Sequence, residues 1–118
     1  MKILIKTIPH SEQRYDTVGD WFERDGVVHI RVSEAAEEQH AFVVALHELV
    51  EWYACKDAGV TEQAVDAFDM AFTGEGEPGD DPRAPYYKQH QFATGIERLM
   101  AIYLGIDWKA YEQGLAAL

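Results

Sequence analysis

One cysteine, four prolines and only ten Lys or Arg among 118 residues set the first limits on this chain. The lone Cys55 makes no internal disulfide and excludes a zinc ribbon or Cys-rich finger, in keeping with a reducing compartment. Against the ten basic residues stand 21 acidic ones, for a formal charge of −11. Phosphate binding needs clustered Lys and Arg, so DNA or RNA is not expected as a direct partner. No run reaches the ~20 apolar residues of a membrane span. Met1-Lys2-Ile3-Leu4-Ile5-Lys6 lacks the apolar core and small-residue cleavage site of a secretory signal. Together these absences predict a cytoplasmic protein without membrane contact, and the length predicts a single domain over 1–118.

What is there begins with His47-Glu48-Leu49-Val50-Glu51. From Ala41 to Cys55 the only strongly acidic or basic side chains are His47, Glu48 and Glu51, and no Lys or Arg occurs between Arg31 and Lys56. A helix this apolar is a core helix, and buried carboxylates are costly unless something positive neutralises them. A bound metal ion meets that need. At about 100° per residue, His47 and Glu51 differ by ~40° around the helix and project side by side, while Glu48 lies ~100° from His47. The metalloprotease signature H-E-x-x-H is arranged in the same way, with residues i and i+4 gripping zinc and the intervening Glu serving as general base. Carboxylate oxygen is itself an accepted zinc ligand. The plain alternative is a local i,i+4 pair of His47 and Glu51.

The rest of the chain predicts an α+β fold. A small antiparallel β-sheet of two or three strands (1–32) is followed by a cluster of three to four α-helices (33–118). Lys2 to Ile8 reads as a strand closing at Pro9. Tyr15 to Glu23 and Val27 to Val32 flank Arg24-Asp25-Gly26, a strong hairpin signal. Ser33 offers a cap for a helix running from about Glu34 or Glu37 to Ala58 and closing at Gly59. Thr61 caps a second helix to about Phe72, and Asp107 caps a last one carrying Trp108 and Tyr111. Residues 73–85 hold three Gly and three Pro among acids, so they form a loop, either a plain surface connection or an acidic lid.

Between that loop and Gly105 lies a third helix, Tyr86 to Leu104. Its residues His90, Ala93, Thr94, Glu97 and Ala101 share one stripe, with Phe92, Ile96, Leu99 and Tyr103 on the opposite arc. Small residues around His90 allow close approach of another helix, so His90 either completes a three-ligand set with His47 and Glu51 or is a half-buried helix residue paired with Glu97 or a tyrosine. Glu97 is either a fourth ligand or a group orienting His90 through its other ring nitrogen. Cys55 is expected to be a buried inert thiol. His10, His29 and His40 are assigned solvated positions, and Trp21, Trp52 and Trp108 are assigned to packing.

The order of strands, then Ser33 onward, then HELVE within a long helix resembles the minimal zincin-like metallopeptidases, including compact bacterial and phage-borne members. The resemblance covers Val27 to Glu51 by motif and the remainder by architecture. It implies His47 and Glu51 as first ligands, His90 as a third, Glu48 as general base, zinc as cofactor and a protein or peptide substrate. Glu51 stands where that family has its second His, which lowers the Lewis acidity of zinc and widens the choice to Mn²⁺ or Fe²⁺. A second pattern, Glu48-x-x-Glu51 followed by Asp66-x-x-Asp69, is similar to the all-α nucleotide pyrophosphohydrolases. It implies Mg²⁺ on Glu48, Glu51, Asp66 and Asp69, against which the leading hairpin and His47 both count. The acidic surplus leaves a third reading, a non-catalytic interaction or inhibitor protein.

Overall fold

Asp25 and Gly26 both take positive φ, 55° and 75°, as a two-residue hairpin turn between twisted strands requires. The computed structural model describes residues 1–35 and 37–118. The turn joins β2 (Gly19–Arg24) to β3 (Val27–Ser33), antiparallel with Trp21 opposite Ile30. Alternation in β3 sends Val28, Ile30 and Val32 into the core and leaves His29 and Arg31 on the other face. There Phe22 stacks on His29 and is ringed by the guanidinium groups of Arg14, Arg24 and Arg31.

β1 (Lys2–Ile8) corrects the expectation of an antiparallel sheet. It runs parallel to β3, from Lys2 opposite Val27 to Ile8 opposite Ser33, and the order is β1-β3-β2. Parallel neighbours need a crossover, which is supplied by residues 9–18 together with β2, so that β3 returns between the other two. All of β1 except Ile8 is exposed, and Lys2 and Lys6 mark its open edge.

The helices are α1 (Glu38–Ala58), α2 (Glu62–Ala71), α3 (Tyr87–Leu104) and α4 (Trp108–Ala116), which confirms the α+β class. Gly59 and Gly105 close α1 and α3 in the left-handed conformation. Thr61 Oγ1 and Asp107 Oδ1 accept the amides of Ala64 and Ala110 as expected caps. Ser33 is not a cap. It ends β3, and its hydroxyl bonds His10 Nδ1 at 2.8 Å and Gln13 Nε2 at 3.1 Å, pinning the turn after β1 to the strand. Glu34 and Ala35 are not helical and Ala36 lies outside the described residues; α1 begins at Glu38 after an extended Glu37 that makes no side-chain cap bond. The core lies where the inner face of β2 and β3 meets α1, with Trp21, Ile30, Val32, Val43, Val44, Trp52 and Cys55 buried together.

α3 packs along α1 with its polar side inward. Its buried residues are His90, Ala93, Glu97 and Ala101, while Phe92, Leu99, Ile102 and Tyr103 face out. A helix turned this way gives up apolar burial, and the reason lies in what its inner stripe meets. Among the described residues, no helix is long and apolar enough to cross a membrane.

Candidate metal centre

Helical geometry places His47 and Glu51 one turn apart on the α1 surface that α3 covers, and both are about 95% buried. His47 Nε2 lies 3.0 Å from Glu51 Oε2. From α3, His90 Nδ1 reaches the same oxygen at 2.9 Å. The three ligand atoms lie within 4.8 Å of one another, and the two rings meet at 65° with centroids 4.7 Å apart. For ligand bonds of about 2.0–2.1 Å, the edge of a tetrahedron around zinc is about 3.3 Å. The two spacings on Oε2 come within a few tenths of an ångström of that edge, so two imidazole nitrogens and one carboxylate oxygen could hold a metal ion here.

A further layer fixes these groups. Trp21 Nε1 donates to the other Glu51 oxygen at 3.1 Å. His47 Nδ1–H donates to Glu97 Oε1 at 2.7 Å, and the Tyr111 hydroxyl from α4 donates to Glu97 Oε2. Glu97 therefore serves His47, which corrects the expectation that it orients His90. It is not among the atoms that converge on Glu51 Oε2. Seven residues separate it from His90 on α3, and the register of α3 against α1 carries it past Glu51 Oε2 to the other nitrogen of the His47 ring. A carboxylate on the second nitrogen of a metal-binding His fixes its tautomer and aims the free lone pair. The outer nitrogen of His90 behaves differently: Nε2 is buried without an aligned acceptor, although Glu77 Oε2 and Asp80 Oδ1 lie 3.1 and 3.2 Å away.

In the ion-free protein, protons fill the electrostatic need. Burial works against a charged His90, but the carboxylates of Glu51 and Glu77 outweigh it and raise the ring to about 10. His47 is likewise raised despite its burial, by Glu51 and Glu97. Burial would raise Glu51, yet the two imidazoles hold it down at about 2. Among the described residues, no Lys or Arg lines the cavity beside the cluster. The donor set thus fits a divalent cation in both spacing and charge.

Glu48 follows Glu51 around α1 and, with His47, Glu51 and His90, lines that cavity of about 70 Å³, large enough for a few water molecules. Its carboxylate lies against Gly19 of β2, where a side chain would not fit: a Cβ there would sit 2.7 Å from Glu48 Oε1. Burial, then the charge of Glu51, raises the Glu48 carboxyl well above its usual range. Glu77 and Pro78 of the acidic loop, with Gly79, line the same cavity.

The alternative carboxylates are used elsewhere. Asp66 takes two bonds from Arg14 at 3.1 Å, and Arg14 also clamps buried Asp20 at 2.7 and 3.0 Å. Asp69 accepts from Tyr15 at 2.8 Å and from Tyr86, and burial raises it to about 6. Among the described residues, neither aspartate joins Glu48 and Glu51 in a group at ligand spacing. Cys55 is buried as expected, its thiol pushed by burial to about 12. His10 is not simply solvated, since it holds Ser33. Trp21, Tyr111, Glu77 and Asp80 are the residues that sequence reasoning missed. Only the acidic loop carried a signal, because the other two reach the cluster across the tertiary fold. Comparison with family models, curated proteins and solved structures gives no match to this chain.

Proposed function

We propose that this domain is a divalent-metal-dependent hydrolase of the zincin-like kind, acting on protein or peptide, with His47, Glu51 and His90 as ligands. The observation that carries the reading is the convergence of His47 Nε2 and His90 Nδ1 on Glu51 Oε2, with the Glu48 carboxylate in the adjoining cavity. When bound, zinc, or Mn²⁺ or Fe²⁺ in its place, would supply Lewis acidity that polarises a carbonyl and acidifies water. Glu97 holds His47 with its Nε2 lone pair facing inward, and Trp21 holds the far oxygen of Glu51. Glu48 has no protein hydrogen-bond donor among the described residues, so its carboxylate is free to take a proton from water in the cavity. Gly19 leaves the space in which that carboxylate sits. Glu77, Pro78 and Gly79 of the acidic loop line the same cavity, so a peptide substrate would approach Glu48 beside them.

The test is Glu48→Gln in zinc-loaded protein, assayed on an unstructured peptide mixture. Zinc should stay at one ion per chain, and hydrolysis should fall at least about 100-fold. Loss of zinc would make Glu48 a ligand. Unchanged turnover would remove it as the base, and a zinc-loaded wild type that cleaves no peptide would leave metal binding without hydrolysis.

A further inference from the structure

Among the described residues, His90 Nε2 is the one buried imidazole nitrogen without an aligned partner. The residue is 5% exposed, yet this nitrogen faces two carboxylates whose side chains are 58% exposed, Glu77 at 3.1 Å and Asp80 at 3.2 Å. The three ligand atoms lie within 4.8 Å of one another. The 3-10 turn Pro78–Asp80 is seated on the ring so tightly that a Cβ on Gly79 would come within 2.5 Å of His90 Cγ and Nδ1. Glu77 before the turn and Asp80 at its end thus face one buried, unpartnered nitrogen, and Gln91 Nε2 holds Asp80 Oδ1 there at 3.0 Å.

We propose that His90 Nε2, Glu77 and Asp80 form a second divalent-cation position, filled in place of the inner one and reached directly from solvent. Its exclusivity rests on the inner site proposed above; its existence does not. A neutral imidazole has one nitrogen with a free lone pair. With an ion at Nδ1, the proton sits on Nε2 between Glu77 and Asp80. With an ion at Nε2, the proton moves to Nδ1, where Glu51 Oε2 accepts it at 2.9 Å. With the ion at Nε2, the nitrogen not holding it thus donates to a carboxylate, an arrangement that strengthens histidine as a ligand. One nitrogen and two carboxylate oxygens suit Zn²⁺ or Mn²⁺.

Equilibrium dialysis against Zn²⁺, on variants whose circular dichroism matches the wild type, tests this. Wild type and Glu77→Gln/Asp80→Asn should each hold one ion. Glu51→Gln should still hold one, about 10–100-fold more weakly, and the three substitutions combined should hold none. His47→Asn replaces Glu51→Gln if the latter does not fold. A Glu51→Gln protein as empty as the combined variant would overturn the outer position. An ion lost in Glu77→Gln/Asp80→Asn but held unchanged in Glu51→Gln would uphold the outer position and overturn the inner one. Two ions on the wild type would overturn the exclusivity.

Discussion

Glu97 shows how much of this centre depends on a side chain that need not touch an ion. Its two oxygens are both taken, one by His47 Nδ1–H and the other by the Tyr111 hydroxyl. In Glu97→Gln the amide oxygen can still accept from His47, but the charge that favours the correct tautomer and strengthens the ring as a donor is gone. Zinc affinity, measured by chelator competition, should fall about 10–100-fold. Tyr111→Phe leaves the His47 bond intact and should change affinity less. A Glu97→Gln protein that melts lower when ion-free yet binds zinc as tightly as wild type would make Glu97 a packing residue only. Glu51 has the same dependence on Trp21, whose indole donates to the oxygen that the imidazoles leave free.

Two glycines separate the positioning of Glu48 from that of His90. Gly19 in β2 lies against Glu48, and an added Cβ would meet Glu48 Oε1 at 2.7 Å and Val44 Cγ1 at 2.8 Å. Gly19→Ala should therefore displace Glu48 and lower turnover while leaving the zinc content at one. Gly79→Ala presses on a ring held by Glu51, so the Pro78–Asp80 turn must lift. It should weaken zinc binding and open residues 73–85 to limited proteolysis. If both substitutions affect binding and turnover alike, the two elements are not separable. Features of this kind divide according to how local they are. The Asp25-Gly26 turn, the Thr61 and Asp107 caps and the Gly59 and Gly105 closures are legible because each depends on neighbours in sequence. The pairing of His47 with Glu51 is legible for the same reason, and the small-residue stripe of α3 correctly brings His90 to it. The direction of β1 and the partner of Glu97 depend on a crossover and on the helix–helix register, which no local pattern encodes. Ser33 looked like a cap because its type suits one, but the bonds to His10 and Gln13 claim its hydroxyl first.

The whole molecule carries −11, and among the described residues no Lys or Arg lines the central cavity, so its stability must be linked to pH and to cations in opposite ways. Consider first the ion-free protein. Glu51 titrates at about 2 when folded, below an unfolded value of about 4.5, so its contribution is present above the unfolded value and is lost as pH falls through 2. His90 titrates at about 10 when folded, above an unfolded value of about 6.5. Its contribution is complete below the unfolded value and is lost as pH rises through 10. From these two groups, chelated protein should be most stable between about pH 4.5 and 6.5 and should melt progressively lower toward pH 10. A bound cation reverses the upper limb. It takes the lone pairs that protons hold at His47 and His90, so its affinity rises as those protons leave, and its stabilisation grows with affinity. Thermal melts at pH 6 and pH 9, with EDTA and with excess Zn²⁺, should show the zinc-induced rise in Tm widening with pH while the EDTA curve declines. An equal zinc effect at both values would mean that no imidazole proton is displaced. The buried His–Glu cluster would then be a network of protonated imidazoles that neutralises its own carboxylates without a metal.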